Sequence, residues 1–325
     1  MRESDRQAAV AEASEAELDE VLEGLSRPQK ELSSRYFYDR RGSELFEEIT
    51  GLDVYYLTRR ERALLELQGA EWVATHRPSA LVELGAGSAR KSRILLDAMM
   101  KTGDEPLYLP VDVSGPFLED TAAELTEEYP GLRVEPVVGD ITEPLELPLE
   151  LPRPAWFALL GSTIGNFPRD EAAGLVAGVA RSMRPGDHFL LGADQRPGVF
   201  KTRERLEAAY NDDEGLTAAF NRNALRVVNG RLGADFDPES FEHRAFYNGD
   251  EHRIEMHLVA KRALQVRLDG EVVEIDEGES IRTEVSCKHD QQSMEDLFQA
   301  AGLELVDWTR DPEAFFALAL GALPS

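Results

Sequence analysis

The amino-acid sequence predicts an α/β protein whose doubly wound parallel sheet is interrupted by an insert. Apolar, strand-like runs and amphipathic helical segments alternate from residue 80 to residue 198, a pattern typical of strand–helix–strand units. The alternation stops between about residues 199 and 287 and resumes over 288–325. One sheet is therefore expected to form from two separated parts of the chain, and the insert is expected to belong to a second, α+β domain.

Each element follows from the local pattern of residue types. Residues 80–87, "ALVELGAG", form an apolar strand that ends in glycines, and residues 88–100 have the periodicity of a helix. The remaining α/β strands are predicted at 107–113, 132–140, 155–167, 188–194, 303–310 and 315–321, and the helices at 114–129 (with Ser114 as N-cap), 169–183 and 293–302. Elsewhere we expect a polar helix in residues 1–30, a helix from Arg59 onward, helices over 199–230 and long strands over 244–287.

Composition excludes several functional classes. Hydrophobic residues make up 42% of the chain, enough for a buried core, and the net charge of −27 argues against nucleic acid as a partner. The N-terminal residues are charged, and no apolar run approaches the roughly 20 residues that a membrane helix needs. The single cysteine, Cys287, suits a reducing compartment, and the six histidines do not cluster like metal ligands. We expect a cytoplasmic monomer without a metal, a membrane or a nucleic-acid partner.

A glycine turn and two acidic residues indicate a nucleoside-binding site. Gly85 and Gly87 follow the first predicted strand, whereas Arg90 stands where a dinucleotide fingerprint would have its third glycine. Asp112 ends the second strand, where a carboxylate can hold both hydroxyls of a ribose, and Asp140 ends the third. This combination is typical of S-adenosylmethionine-dependent methyltransferases, whose cofactor has no pyrophosphate to place at a helix N-terminus. A nicotinamide dinucleotide is the alternative cofactor.

Several long stretches carry a resemblance that covers nearly the whole chain and is weakest in the first 30 residues. They are "YFYDRRGSELFEEIT", "YYLTRRE", "LVELGAGSARKSRILLDAM", "LGSTIGNF", "AAYNDDEGLTAAFNRN", "HRIEMHL" and "TEVSCK". With these stretches the sequence closely resembles the L-histidine Nα-methyltransferases of ergothioneine biosynthesis. The resemblance implies a Rossmann-like class I methyltransferase domain (61–198 and 288–325) that binds S-adenosylmethionine. It also implies a substrate-binding domain (1–60 and 199–287), and we expect a ligand cleft between the two.

The resemblance further implies a reaction, in which three successive methyl transfers to the α-amine of L-histidine give the betaine hercynine. The histidine-binding residues implied in this sequence are Tyr38, Tyr55, Asn166, Tyr210, Met256, Glu284 and Ser286, of which Tyr38 and Asn166 are expected to be catalytic. The implied cofactor-binding residues are Tyr55, Gly85, Lys91, Asp112, Asp140 and Ile141. A methyltransferase for another aromatic amine and a non-catalytic sensor of amino acid and nucleoside are the alternatives.

Several of these positions have an ordinary structural alternative, and two of them, Glu284 and Ser286, lie on one predicted strand. In "RTEVSCKHD", the alternation of residue types predicts a strand with Thr283, Val285 and Cys287 on an apolar face and Glu284 and Ser286 on a polar face. Such a polar face ordinarily contacts water, whereas the resemblance implies that Glu284 and Ser286 meet the substrate imidazole.

Asn166 is expected at the end of the buried strand 155–167. The functional interpretation is that its amide holds the amine and carboxylate of the substrate. The alternative is that the side chain caps the next helix, a common use of asparagine.

Overall fold

The computed structural model describes residues 15–102, 105–113, 115–143, 147–148 and 150–324, and these divide into two compact units. The first unit comprises the chain up to Tyr56 together with Thr202–Ser286. The second comprises Leu57–Lys201 together with the residues from Cys287 onward. The sequence-based boundaries follow residues 60, 198 and 287. The first fourteen residues of the polar helix expected over 1–30, and the expected N-cap Ser114, lie outside the described residues.

The elements are numbered along the chain. The described helices are α1 (Glu15–Ser26), α2 (Arg40–Thr50), α3 (Leu57–Leu64), α4 (Ala70–His76), α5 (Ser92–Met100), α6 (Gly115–Glu128), α7 (Arg169–Ser182), α8 (Arg203–Ala208), α9 (Leu216–Leu232) and α10 (Gln291–Ala300). The described strands are β1 (Lys30–Glu31), β2 (Ala80–Leu84), β3 (Leu107–Asp112), β4 (Arg133–Val134), β5 (Val137–Val138), β6 (Ala155–Leu159), β7 (His188–Asp194), β8 (Phe241–Asn248), β9 (Arg253–Ala260), β10 (Leu264–Leu268), β11 (Glu271–Ile275), β12 (Ser280–Cys287), β13 (Glu304–Arg310) and β14 (Phe316–Ala322). Within the described ranges, no helix is both long enough and apolar enough to cross a membrane.

The second unit is built on one sheet in the order β13-β14-β7-β6-β2-β3-β4, with β5 also paired to β3. The strands from β7 to β4 are parallel, and β14 is antiparallel to both β7 and β13. Every residue of β2 and β6 is buried, which explains why both strands are continuous apolar runs. Because the strands are parallel, β2, β3, β5 and β6 all end at one edge of the sheet.

The first unit is built on a sheet in the order β1-β12-β9-β8, beside a separate hairpin of β10 and β11. Helix α9 packs against α2, and the ring of Phe220 in α9 stacks on Phe37 with 4.6 Å between the ring centroids. Asp39 accepts hydrogen bonds from the backbone N of Gly42 (2.7 Å) and from Nδ2 of Asn223 (2.7 Å). It therefore caps α2 and ties that helix to α9.

The strand predicted at 155–167 is wrong beyond Leu159. Gly161 and Ser162 both have left-handed backbone angles, with φ of 81° and 59°, and residues Thr163–Asn166 form a 3₁₀ turn. The apolar run at 155–160 does not reveal this turn, because the left-handed backbone angles of Gly161 and Ser162 leave no mark on the pattern of apolar residues before them. Asn166 consequently ends a tight turn rather than a strand.

Other predicted elements are interrupted or shortened for local reasons. The strand at 132–140 is divided into β4 and β5 around Pro136, which has no N–H for the ladder. The helical stretch at 199–230 is divided before Gly215, whose φ of +75° precedes α9. The N-terminal helix ends at Ser26, two residues before Pro28. The predictions at 169–183 and 188–194 agree with α7 and β7 to within one residue.

Candidate active site

The glycine turn after β2 is tied to the end of the neighbouring strand. Gly85 and Gly87 have φ of +69° and +50°, conformations that favour glycine. The backbone N of Gly85 donates to the carbonyl of Val111 (2.8 Å), and the N of Gly87 donates to Oδ2 of the half-buried Asp112 (3.0 Å). No described atom lies within 4 Å of the place that a Cβ would take at either glycine. The turn therefore borders open space beside a carboxylate.

The second predicted acid lies next to the first at the same edge of the sheet. The backbone N of Gly139 donates to the carbonyl of Asp112 (3.0 Å), and Asp140 is the next residue, two positions past the end of β5. Oδ1 of Asp140 accepts from both N (2.9 Å) and Oγ1 (2.7 Å) of Thr142, which holds Ile141 between them. The structure thus brings Gly85, Asp112 and Asp140 together at the carboxyl ends of β2, β3 and β5.

Lys91 lies at the start of α5 and forms an ion pair with the buried Glu61 of α3. Both carboxylate oxygens of Glu61 accept from the backbone N of Gly161, at 2.7 and 2.9 Å. Sequence reasoning missed Glu61, because in "YYLTRRE" it looks like one more surface charge on a helix. A visible signal is Gly192, a glycine inside the apolar strand β7, where a Cβ would lie 1.9 Å from Oε1 of Glu61.

The turn that carries Asn166 is held on several sides. Oγ of Ser162 accepts from the backbone N of Asp194 (2.9 Å), and a Cβ on Gly165 would lie 2.7 Å from the carbonyl oxygen of Cys287. Pro168 occupies the N-cap position of α7, and no side-chain cap is formed there. Asn166 itself is half-buried. The capping alternative for Asn166 therefore does not apply to α7.

The aromatic residues predicted for the substrate site lie in one chain of contacts within the first unit. Tyr38 and Tyr55 each meet the ring of Phe46 edge-on, with centroid distances of 6.1 and 6.2 Å. Tyr55 in turn meets Tyr210 at 6.2 Å, and the hydroxyl of Tyr210 lies 3.0 Å from Oγ of Ser286. The structure thus brings together four of the predicted residues and adds Phe46, which the sequence analysis did not single out.

Strand β12 does not have the simple two-faced pattern that its sequence predicts. Val285 and Cys287, expected on the apolar face, are half-buried, whereas Ser286 of the polar face is buried. Glu284 is half-buried, and Met256, on the neighbouring strand β9, is buried. The polar face of β12 is therefore not an ordinary solvent-facing surface at Ser286.

A partly buried hydrogen-bond relay supports the backbone of Tyr210. Oγ1 of Thr283 donates to Oδ1 of Asn221 (2.6 Å), so the amide NH₂ of Asn221 faces Nδ1 of His243 (2.9 Å). Nε2 of His243 lies 2.8 Å from the carbonyl oxygen of Tyr210 and donates to it in this arrangement. Burial lowers the pKa of His243, which favours the neutral ring that the relay requires.

Two groups of buried polar side chains that include ionisable residues lie in the second unit. Burial raises the pKa of Glu83, inside β2, to about 7, although the hydroxyls of Ser92 and Tyr108 both donate to its carboxyl group. At the end of β7, Asp194 pairs with the ammonium groups of Lys201 and Lys288, and all three side chains are fully buried. Burial lowers the pKa of Lys201 to about 8.

Strand order and site residues define the class of protein. The second unit has a parallel sheet with an antiparallel β14 beside β7, a glycine turn after β2, and acids after β3 and β5; this is the class I fold of S-adenosylmethionine-dependent methyltransferases. Among solved structures, mitomycin 7-O-methyltransferase MmcR aligns with a TM-score of 0.50 at 12% identity, over 99% of this chain and 71% of that one. The predicted Rossmann-like fold is confirmed.

Residues 17–322 match the family model described as histidine-specific, S-adenosylmethionine-dependent methyltransferase. The chain is 42% identical to histidine N-alpha-methyltransferase of Mycobacterium tuberculosis over 93% of its own length and 94% of that protein. It is equally similar, at 42%, to the enzyme of the same name in Mycolicibacterium smegmatis, over 96% of both chains. The chain belongs to the histidine-specific methyltransferase family, as its sequence predicts, and S-adenosylmethionine is the cofactor of that family.

Proposed function

We propose that this protein transfers three methyl groups from S-adenosylmethionine to the α-amine of L-histidine and forms hercynine, a step of ergothioneine biosynthesis. The single observation that carries the proposal is the 42% identity to two histidine N-alpha-methyltransferases over nearly the whole chain. A protein named ergothioneine biosynthesis protein 1 in Neurospora crassa supports the pathway. It is 31% identical over 91% of this chain, and the match covers 34% of that longer protein.

The second unit is proposed to bind the cofactor. The open space beside Gly85 and Gly87, with carboxylates at the ends of two neighbouring strands, fits a nucleoside whose ribose hydroxyls hydrogen-bond to Asp112. Asp140 and Ile141 would border the base, and the ammonium of Lys91 would bind the methionine carboxylate. When bound, S-adenosylmethionine supplies an electrophilic methyl group on a sulfonium. Tyr55 is proposed to contact the cofactor as well as histidine.

The first unit is proposed to supply most of the histidine site. Glu284 would accept a hydrogen bond from the imidazole, and Ser286, already paired with the hydroxyl of Tyr210, would serve the second ring nitrogen. Met256, which is buried beside β12, would form an apolar wall for the ring. This set of one carboxylate, two hydroxyls and one apolar side chain favours imidazole over an indole, which has a single N–H.

Tyr38 and Asn166 are proposed to position the amine. Methyl transfer requires a neutral amine lone pair aligned with the methyl carbon, so orientation contributes much of the rate. The α-amine of free L-histidine is mostly ammonium at pH 7–8, so the site must bind the neutral fraction in preference; a site that does not stabilise the ammonium form does this without a strong general base. Hydroxyl and amide groups hold a neutral amine without the preference for ammonium that a carboxylate would impose.

Mass spectrometry tests the proposal. L-Histidine incubated with the protein and excess S-adenosylmethionine should gain about 42 mass units in three steps of about 14, one for each hydrogen replaced by a methyl group on the amine. The same assay with L-tryptophan and tyramine tests a methyltransferase for another aromatic amine. Binding of histidine and cofactor without any methylated product would instead support the sensor.

A further inference from the structure

Glu61 occupies an unusual position for a helix carboxylate. It lies in α3 and is fully buried, although the helix around it carries Arg59, Arg60 and Arg62. Its two oxygens accept from the backbone N of Gly161 at 2.7 and 2.9 Å, and Oε2 also accepts from the ammonium of Lys91. The carboxylate thus joins three elements of the second unit: α3, the start of α5 and the turn after β6.

The neighbouring strand is adapted to this carboxylate. Gly192 lies in the middle of β7, and a Cβ there would lie 1.9 Å from Oε1 and 3.0 Å from Cδ of Glu61. A glycine inside a strand weakens that strand, and a buried carboxylate has a substantial desolvation cost. An apolar side chain opposite an alanine would fill the same space with less loss of stability. The combination therefore suggests that the carboxylate has a role beyond packing.

The position of Lys91 indicates what that role is. Its Nζ would lie 3.1 Å from a Cβ placed on Gly161, so the ammonium sits directly over the backbone at the carboxyl end of β6. A lysine side chain has four flexible bonds, and fixing it at the moment of binding costs conformational entropy. An ammonium has three N–H donors, so pairing with Glu61 leaves donors for a ligand.

We propose that Glu61 is a positioning residue for cofactor binding: it holds the ammonium of Lys91 over Gly161, oriented to receive the carboxylate of S-adenosylmethionine. The inference rests on the proposed function. Glu61 acts through Lys91 and does not itself bind the cofactor. Its loss should therefore lower affinity for the cofactor only while Lys91 is present.

Calorimetric titration with S-adenosylmethionine and S-adenosylhomocysteine tests this dependence. Glu61→Gln keeps an acceptor for Gly161 but places no charge next to Lys91, and it should weaken binding about tenfold. Lys91→Met should weaken binding at least as much. In the double variant, Glu61→Gln should weaken cofactor binding by less than about twofold relative to Lys91→Met alone, because both changes remove one shared interaction. Independent, multiplicative losses would overturn the inference and leave Glu61 with a structural role alone.

A second pair of variants separates stability from binding. Gly192→Ala should lower the melting temperature sharply, because its Cβ would overlap the Glu61 carboxylate. Glu61→Ala/Gly192→Ala removes that overlap, so its melting temperature should be much closer to that of the wild type. Because it lacks Glu61, it should still bind the cofactor more weakly than the wild type. A double variant that binds S-adenosylmethionine as tightly as the wild type would overturn the inference.

Asp187→Asn is the matched control. Asp187 is also buried in the second unit and accepts from Arg153 and from the backbone N of Ala155 (2.7 Å), but at the amino end of β6. Its replacement should lower stability and leave cofactor affinity unchanged. Wild-type protein that binds no cofactor would overturn the proposed function and this inference together. Normal wild-type binding with unchanged affinity of Glu61→Gln would overturn the inference alone.

Discussion

Glu284 and Ser286 are two residues apart on β12, so their side chains project from the same face of the strand. If Glu284 accepts a hydrogen bond from the imidazole, that bond is charge-assisted and contributes roughly 1.5–3 kcal/mol. Glu284→Ala should therefore weaken binding of L-histidine by about 10- to 100-fold. Calorimetric titration with S-adenosylhomocysteine present measures the affinity without turnover.

Two further variants serve as comparisons for the affinity of Glu284→Ala. Ser286→Ala removes a neutral hydrogen bond worth about 1 kcal/mol and should cost about fivefold in affinity. Glu242→Ala changes an exposed carboxylate on β8 of the same unit and should bind histidine like the wild type. If Glu284→Ala also binds like the wild type, Glu284 does not contact the imidazole.

Glu83 should make the stability of the fold decrease as pH rises. Burial raises its pKa from 4.5 to about 7, so the folded state binds a proton more tightly than the unfolded state. The stabilising contribution is complete below pH 4.5 and is lost as pH rises through 7. Glu83→Gln retains an acceptor for Ser92 and Tyr108 and has no carboxyl group to ionise. The free energy of unfolding of this variant should fall less than that of the wild type as pH rises. The gap between the two falls in stability should reach roughly 3 kcal/mol above pH 8.

Urea unfolding at several pH values between 5 and 8.5 measures this effect as a difference between wild type and Glu83→Gln. The difference isolates Glu83 from the buried histidines, which titrate in both proteins. Parallel stability profiles would show that the carboxyl group of Glu83 titrates at its ordinary pKa despite its burial.

At the scale of single residues, sequence patterns indicate candidate ligand-binding side chains more readily than the side chains that support them. Asp112 and Asp140 were predicted because acids after successive strands have a recognisable spacing, and the structure places them together. Glu61 has no such spacing, since its partners Lys91 and Gly161 are 30 and 100 residues away. Only the folded chain shows that a helix charge is internal.

At the scale of elements, prediction succeeds where burial of one face gives apolar residues a regular spacing. It fails where the backbone angles of a few residues determine the structure. Helix α7 and strand β7 have uninterrupted patterns and were predicted within one residue. The turn after β6 depends on the left-handed angles of Gly161 and Ser162, which an apolar run does not reveal. That turn carries Asn166, so a proposed catalytic residue lies on an element whose conformation the sequence pattern did not predict.

The same turn offers a test at the scale of one element. A Cβ on Gly165 would lie 2.7 Å from the carbonyl oxygen of Cys287, a backbone atom that cannot move aside without shifting the chain. Gly165→Ala should therefore destabilise the fold by about 1–3 kcal/mol and displace the turn. We expect histidine turnover to fall at least tenfold, because small displacements of positioning groups are costly in catalysis.

Gly174→Ala is the matched control for this substitution. Gly174 lies inside α7, and no atom of the described chain is within 4 Å of the place of its Cβ, so alanine should stabilise the helix by up to about 1 kcal/mol. Thermal unfolding and steady-state kinetics measure both variants. A Gly165→Ala protein with wild-type turnover would show that the turn is not needed in its present position.

At the scale of the whole molecule, charge is distributed unevenly between interior and surface. The chain has 62 acidic residues against 35 Lys and Arg residues, and only six of the latter are lysine. Lys201 and Lys288 are buried on Asp194, and Lys91 pairs with the buried Glu61. Half of the lysines therefore serve internal ion pairs, and a large acidic excess is left elsewhere in the chain.

The acidic excess predicts a salt-dependent stability. Like charges on the folded protein repel one another, and the Debye length falls from about 30 Å at 0.01 M salt to about 10 Å at 0.1 M and 3 Å at 1 M. The melting temperature should therefore rise with NaCl, most steeply at low concentration. Glu119→Gln/Asp120→Asn/Glu127→Gln changes three exposed acids on α6 and should make the rise smaller. Salt adaptation of the host and a GC-rich genome both account for the sequence bias, but only adaptation requires a benefit from salt. A melting temperature that stays constant up to molar NaCl would favour genome composition as the origin of the acidity.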